Sequence, residues 1–119
     1  MEVASDPKKT TLKKNISQLY NKVNQEMYGV GVKKQKIEIL KNTVVIFSEH
    51  KRAPDLKALD HKYREITMAA DAALISEFKK RLKWEIQQQM SKDVHTVLKD
   101  FDPESEFACT VIHFKEENF

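Results

Sequence analysis

A single cysteine, Cys109, excludes an internal disulfide and with it the stapled scaffolds of small secreted proteins. It agrees with a reducing compartment, and within an apolar strand it reads as core filler. No apolar run approaches the length of a membrane span. The opening MEVASDPKKTTLKKN lacks the apolar centre of a signal peptide, which points to cytoplasmic residence. Glycine is nearly absent, and both copies fall in one stretch, Gly29-Val30-Gly31-Val32-Lys33-Lys34. A phosphate cradle is excluded there by polarity: such loops precede a helix and use its positive end, whereas this one follows a helix and meets the negative end. Its spacing is not that of a P-loop either. No catalytic constellation and no cofactor motif appear, so the chain is read as a non-enzyme. The net charge of +3 permits contact with anionic surfaces, but is too small to make nucleic acid an expected partner.

What is present organises itself around the run from Asp55 to Ser91, which has no glycine or proline after Pro54. As one helix it would span roughly 55 Å, against a radius of gyration of about 13 to 14 Å for a compact domain of this length. Two apolar seams lie on it. Leu56, Leu59, Tyr63, Ile66, Ala70 and Ala73 form the first; Leu74, Phe78, Leu82, Ile86 and Met90 form the second, about a third of a turn away. One helix on one sheet cannot bury both. Either the run breaks near Ala69 to Ala73, or it continues and its first half packs on another element or another chain. Trp84 falls on the side of the first seam, facing a partner or tucked under the N-terminal helix.

Residues 1–10 carry few apolar groups and read as a loose tail, leaving 11–116 as a single domain. Leu12, Ile16, Leu19, Val23 and Met27 make one helical stripe with Tyr20 beside it, ending at Gly29. Lys36 to Leu40 and Thr43 to Phe47, joined by Lys41-Asn42, form a tight hairpin. Asp93 to Phe101 and Glu106 to Phe114, joined by Asp102-Pro103-Glu104-Ser105, form a second. Within it, Val97 and Phe101 are set against Val94 and Leu98. The order helix, hairpin, long helix, hairpin predicts an α+β domain: a four-stranded, mainly antiparallel sheet with helices packed on one face. Covering the other face needs a partner.

The histidines His50, His61, His95 and His113 show no metal-ligand spacing, although His95 and His113 are placed to face each other across the second hairpin. Asp100, Asp102, Glu104 and Glu106 alternate as in a calcium loop, but Ser105 stands where the glycine is needed. No metal is assigned. Lys79, Lys80, Arg81 and Lys83 make a basic helix face, and Lys33, Lys34 and Lys36 a second cluster; Lys79, Lys80 and Lys83 are candidates for contact with an anionic surface.

Three stretches carry a family resemblance: Tyr28-Gly29-Val30-Gly31-Val32-Lys33-Lys34, the hairpin ending in Val44-Val45-Ile46-Phe47, and Leu98-Lys99-Asp100-Phe101-Asp102-Pro103-Glu104 before a last apolar strand. In order and spacing the chain resembles the MpsC family, the C component of the bacterial sodium-translocating, membrane-potential-generating system. It departs from that pattern at Val32, at Ser48-Glu49-His50 and at the opening of the long run. The resemblance implies a small accessory component of a membrane system linked to sodium-dependent membrane potential and inorganic carbon uptake, with membrane subunits as partners and peripheral contact at the inner face of the cell membrane. It identifies no active site. Gly29, Gly31, Lys33, Lys34, Asp100, Asp102 and Pro103 match family motifs but are sufficiently explained as cap and turn. A basic nucleic-acid-binding or regulatory module is the alternative. The exposed seam Leu59, Tyr63, Ile66 and Ala70, with Trp84, predicts a homodimer or larger assembly built on the long helix.

Overall fold

The structure, a computed structural model, describes residues 7–116. Its elements run α1 (Pro7–Tyr28), β1 (Lys34–Leu40), β2 (Thr43–Glu49), α2 (Pro54–Leu59), α3 (Arg64–Met90), β3 (Val94–Asp102) and β4 (Phe107–Phe114). Both hairpins form, and pairing of β2 with β4 joins them into one antiparallel sheet of order β1-β2-β4-β3. The α+β architecture is as expected. The tail expected over residues 1–10 lies partly outside the described residues, and Pro7 to Thr10 belong to the first turns of α1. Proline suits such a start, because the amide hydrogen it lacks has no partner in a first helical turn.

Strand alternation sorts side chains by face. Val44, Ile46 and Ser48 of β2 and Ala108, Thr110, Ile112 and Phe114 of β4 point to the covered side. Against them pack Leu12, Ile16, Tyr20 and Val23 of α1 and Phe78, Leu82 and Ile86 of α3, all buried. The α1 stripe and the second seam of the long run are therefore the core, as their spacing predicts. Lys22 Nζ donates to Glu85 at 3.0 and 3.1 Å and joins the two helices beside that core. The opposite sheet face carries Val45, Phe47, Val111 and Cys109, half-buried by their neighbours, with Leu40, Leu98 and Phe107 exposed. Cys109 thus stands on the uncovered side and is not core filler. The register of β3 shifts between Val94 and Thr96, so Val94 shares the covered face with Val97 rather than lying opposite it. A one-residue irregularity reverses the alternation on its far side.

The long run does break, but at Asp60 to Tyr63 rather than at Ala69 to Ala73. Arg52 explains the position. Its guanidinium is almost wholly buried and donates to Asp60 through Nε at 3.1 Å and Nη2 at 2.7 Å, while Nη1 donates to Asp71. On one continuous helix the two carboxylates would sit about 16 Å apart along the axis, out of reach of a single guanidinium. Folding α2 back against α3 brings them together. The backbone amide of Arg52 meanwhile donates to the Glu106 carboxylate, and the amide of His50 donates to the Glu106 carbonyl at 2.8 Å, so the same loop is tied to the turn before β4. Burial of one cation between two partly solvated carboxylates makes its loss expensive. Arg52→Leu is expected to destabilise the protein by about 3 kcal/mol; a urea midpoint unchanged from the parent would show that the corner stands without the clamp.

Candidate functional site

Tyr20 leaves α1 near the middle of the sheet and is fully buried. Its hydroxyl is hydrogen-bonded to Ser48 Oγ at 2.8 Å, His50 Nε2 at 2.9 Å and Thr110 Oγ1 at 3.3 Å. Ser48 Oγ lies 3.0 Å from His50 Nε2, closing a triangle. Burial raises the Tyr20 phenol above its ordinary range. Burial, helped by the positive charge of Lys99, pulls His50 down to about 3, so its imidazole is neutral. The Ser48–His50 contact has the reach of a nucleophile and base. Ser48 is only 2% exposed, so its hydroxyl is closed to solvent, and this knot of hydrogen bonds ties α1 to β2 and β4.

A cavity of about 60 Å³ opens above this knot, between the end of α1, the loop into α2, the first half of α3 and β3. Tyr28, Leu56, Leu74, Ile75 and Phe101 give it apolar walls. Burial pushes the Tyr28 phenol up to about 12. Its polar lining comes from Asn24, His50, Lys51, Lys99 and the Arg52–Asp71 pair. Asp71 is paired with Arg52, which it shares with Asp60, and Lys99 is different. Lys99 Nζ sits over the Phe78 ring, 3.6 Å from its centroid, and 5.8 Å from that of Tyr20. Among the described residues no carboxylate pairs with it. Desolvation alone lowers it to about 7. Ring faces repay part of the expense of burying an ammonium, as cation–π contacts do, but they do not replace a counter-ion.

The residues singled out in the sequence fall around this cavity or away from it in an ordered way. Gly29, at φ +77°, ends α1 as expected, its amide donating to Gln25 O at 2.9 Å. A Cβ on Gly31 would stand 2.6 Å from Asn21 Oδ1, the atom that accepts the Val32 amide at 2.8 Å. Glycine therefore lets the loop lie against α1. Lys33 is exposed, and Lys34 makes only a solvent-side contact with Glu49 at 3.9 Å. Asp102 accepts the Glu104 amide and the Ser105 hydroxyl, each at 3.0 Å, which builds the turn around Pro103; Asp100 accepts the Phe101 amide at 2.9 Å. His95 and His113 do face each other, ring centroids 5.4 Å apart, and His113 Nδ1 is hydrogen-bonded to Thr43 Oγ1 at 2.9 Å. Trp84 is 57% exposed, so it is not tucked under α1. Ile66, Tyr63 and Leu59 are exposed too, and Ala70 is half-buried. Lys80 points outward, while Lys79 and Lys83 lie half-buried along the flank of α3.

A family model described as Na+-translocating membrane potential-generating system (MpsC) matches residues 8–116. The chain belongs to the MpsC family. No curated protein and no solved structure matches it. In this MpsC chain, two of the stretches that carry the family resemblance meet at the cavity: Tyr28, Val30 and Gly31 from the first, Lys99 and Phe101 from the last. His50, from a place where the chain departs from the family pattern, joins them. Arg52 and Lys99 were not picked out from the sequence. For Lys99 the signal was there: it alternates with Val97 and Phe101, both assigned to one strand face, so it had to share that face. For Arg52 there was none, because its partners lie at separations of 8, 19 and 54 residues.

Stability should carry the signature of these two depressed bases. Between its folded value of about 7 and the ordinary 10.5, Lys99 binds a proton in the unfolded chain but not in the folded one, so stability rises with pH across that window. Between 6.5 and about 3 the same holds for His50, so stability falls on acidification. The parent is therefore expected to melt higher at about pH 9 than at about pH 7, and Lys99→Met to lose that rise. Parallel melting curves for the two proteins across the interval would refute a buried, unpaired ammonium.

Proposed function

We propose that the protein is a non-enzymatic cytoplasmic accessory component of a bacterial membrane system linked to sodium-dependent membrane potential and to inorganic carbon uptake. The family match over residues 8–116 carries this reading. No described helix is long and apolar enough to cross a membrane, and the reading assigns ion movement to other subunits. What the chain offers such subunits is surface. Ile66, Ala73 and Trp84 recur along the outward side of α3, with Lys80 among them. A homodimer built on that stripe together with Leu59, Tyr63 and Ala70 is part of the proposal, because large apolar side chains exposed in a row favour a partner over water. Peripheral contact with anionic lipid through Lys79, Lys80 and Lys83 is the other part.

The two lysine clusters do not make one basic surface. Lys34 and Lys36 alternate with the core-facing Ile37 and Ile39 of β1 and so point to the uncovered sheet face, whereas α3 packs on the covered one. A nucleic-acid backbone wants a continuous positive track, which weighs against the alternative module.

Co-purification from the native bacterium is the primary test, with membrane subunits expected in the mass spectrum; salt-sensitive recovery of RNA in their place would reverse the reading. Light scattering at micromolar concentration is expected to give a dimeric mass that Ile66→Asp converts to a monomeric one, and a monomeric parent would discard the α3 interface. Replacing Lys79, Lys80 and Lys83 by Gln should weaken sedimentation with anionic vesicles by about 1 kcal/mol per lysine while leaving the fold intact. Equal sedimentation would remove the lipid contact from the proposal.

A further inference from the structure

The sheet face turned away from the helices is sorted by charge across its width. Along one rung, Lys36 of β1 stands beside Phe47 of β2, then Cys109 of β4 and Asp100 of β3. The rung on one side runs Lys34, Glu49, Phe107 and Asp102, and the rung on the other Glu38, Val45, Val111 and Leu98. The β1 rim is thus basic at two rungs and the β3 rim acidic at the same two, with an apolar band on the central strands between them. Lys34, Lys36, Asp100 and Asp102 are all exposed, and their only described ion pairs are loose ones, Lys34 with Glu49 at 3.9 Å and Lys36 with Glu38 at 3.8 Å. Leu98 is 56% and Phe107 45% exposed, so the band lies open among the described residues. A continuous apolar band of this kind is the mark of an interaction surface.

A surface that is basic at one rim and acidic at the other is complementary to itself. We propose that a second copy of the chain docks on this face, sheet on sheet, about a two-fold axis that runs along the strands between β2 and β4. A half-turn about that axis carries β1 of one copy over β3 of the other and keeps the rungs in step. Lys36 then meets the partner's Asp100 and Lys34 the partner's Asp102, each pair occurring twice by symmetry. Between them Val45 meets the partner's Val111, and Phe47 the partner's Cys109. An axis across the strands would instead lay β1 on β1, setting Asp100 on the partner's Leu98 and Lys34 on the partner's Leu40, so charge selects the first arrangement. Stacked sheets lie about 10 Å apart with strands crossing at about 30°, a separation that lysine and aspartate side chains bridge from opposite sides. Strands about 4.8 Å apart and about 23 Å long give a four-stranded face of about 19 by 23 Å. A pair of copies therefore buries on the order of 900 Å² in plan, close to the about 1,000 Å² at which specific interfaces begin, so the association is reversible and sets in above micromolar concentration. The face is separate from the outward stripe of α3, which lies on the helical side of the sheet, and the two surfaces stand or fall independently.

Sedimentation velocity on the full chain carrying Ile66→Asp, run from micromolar to millimolar concentration, isolates this face from the α3 stripe. A reversible monomer to dimer equilibrium is expected. In that background Lys36→Glu and Asp100→Lys, both at exposed positions that leave the turn at Asp102 intact, should each weaken the dimer about tenfold or more by setting like charges together. An equimolar mixture of the two variants should regain the affinity held before either change, because the reversed charges match across the mixed dimer. Labelling of Cys109, the one thiol of the chain, by N-ethylmaleimide gives a second reading on the unaltered protein and does not depend on any variant folding. Its rate should fall as concentration rises, since the partner's Phe47 covers the thiol, whereas an α3 dimer alone leaves it constant. A strictly monomeric Ile66→Asp chain, or a thiol rate independent of concentration, overturns the proposal. Undiminished affinity in the two charge variants, or no recovery in their mixture, overturns it as well, because the rims would then have no part in the pairing.

Discussion

A single guanidinium decides the shape of this protein. Without Arg52, the residues from Pro54 to Met90 have every local reason to be one rod: good helix formers, no glycine, and no proline after the first position. The chain turns at Asp60 because Asp60 and Asp71, both in the first half of that rod, are drawn to one buried cation, and because the same residue's amide is held by Glu106 across the molecule. That cross-tie also sets where Leu56 and Asp71 stand. The cavity wall and the clamp are thus one construction, and helix propensity yields to a tertiary ion pair there.

Beneath the clamp, the sheet is held to its helices by a different device. Tyr20 is the place where a helix, both central strands and the loop after β2 share one hydrogen-bonding group. Apolar packing would tolerate sliding of α1 along the strands, since Ile16 or Val23 would find similar neighbours a residue away. A phenol that must meet Ser48, His50 and Thr110 at once permits one position. The edge-to-face packing of its ring on Phe78, with centroids 5.3 Å apart, extends that constraint to α3.

Periodicity made most of this architecture legible in the sequence. The stripe through Leu12, Ile16 and Val23, the seam through Phe78, Leu82 and Ile86, and the turns at Lys41-Asn42 and Asp102-Pro103 are local signals, and each corresponds to an element observed. What escaped depends on contacts between distant positions. The two seams allow either a break at the alanine-rich segment or a continuous helix, whereas electrostatics puts a break where Asp60 meets Arg52. The faces of β3 were assigned by simple alternation, and the irregularity at His95 reversed them for Val94. Trp84 was open to two readings, and its exposure settled which side of α3 it occupies. The cavity could not be seen because its walls come from the end of α1, the loop into α2, α3 and β3, and a pattern of residue types records no contact between such distant stretches.

The sheet of order β1-β2-β4-β3 leaves β1 and β3 as its rims, each offering unpaired backbone groups to any passing strand. Both rims are spoiled for that purpose. β1 sets Lys34, Lys36 and Glu38 along its length, and β3 carries the offset at His95 together with the charges of Asp100 and Asp102. A neighbouring molecule that tried to add a strand would have to bury those charges or match a broken ladder. Copies of this chain can consequently be crowded together without adding strand to strand and running on into fibrils.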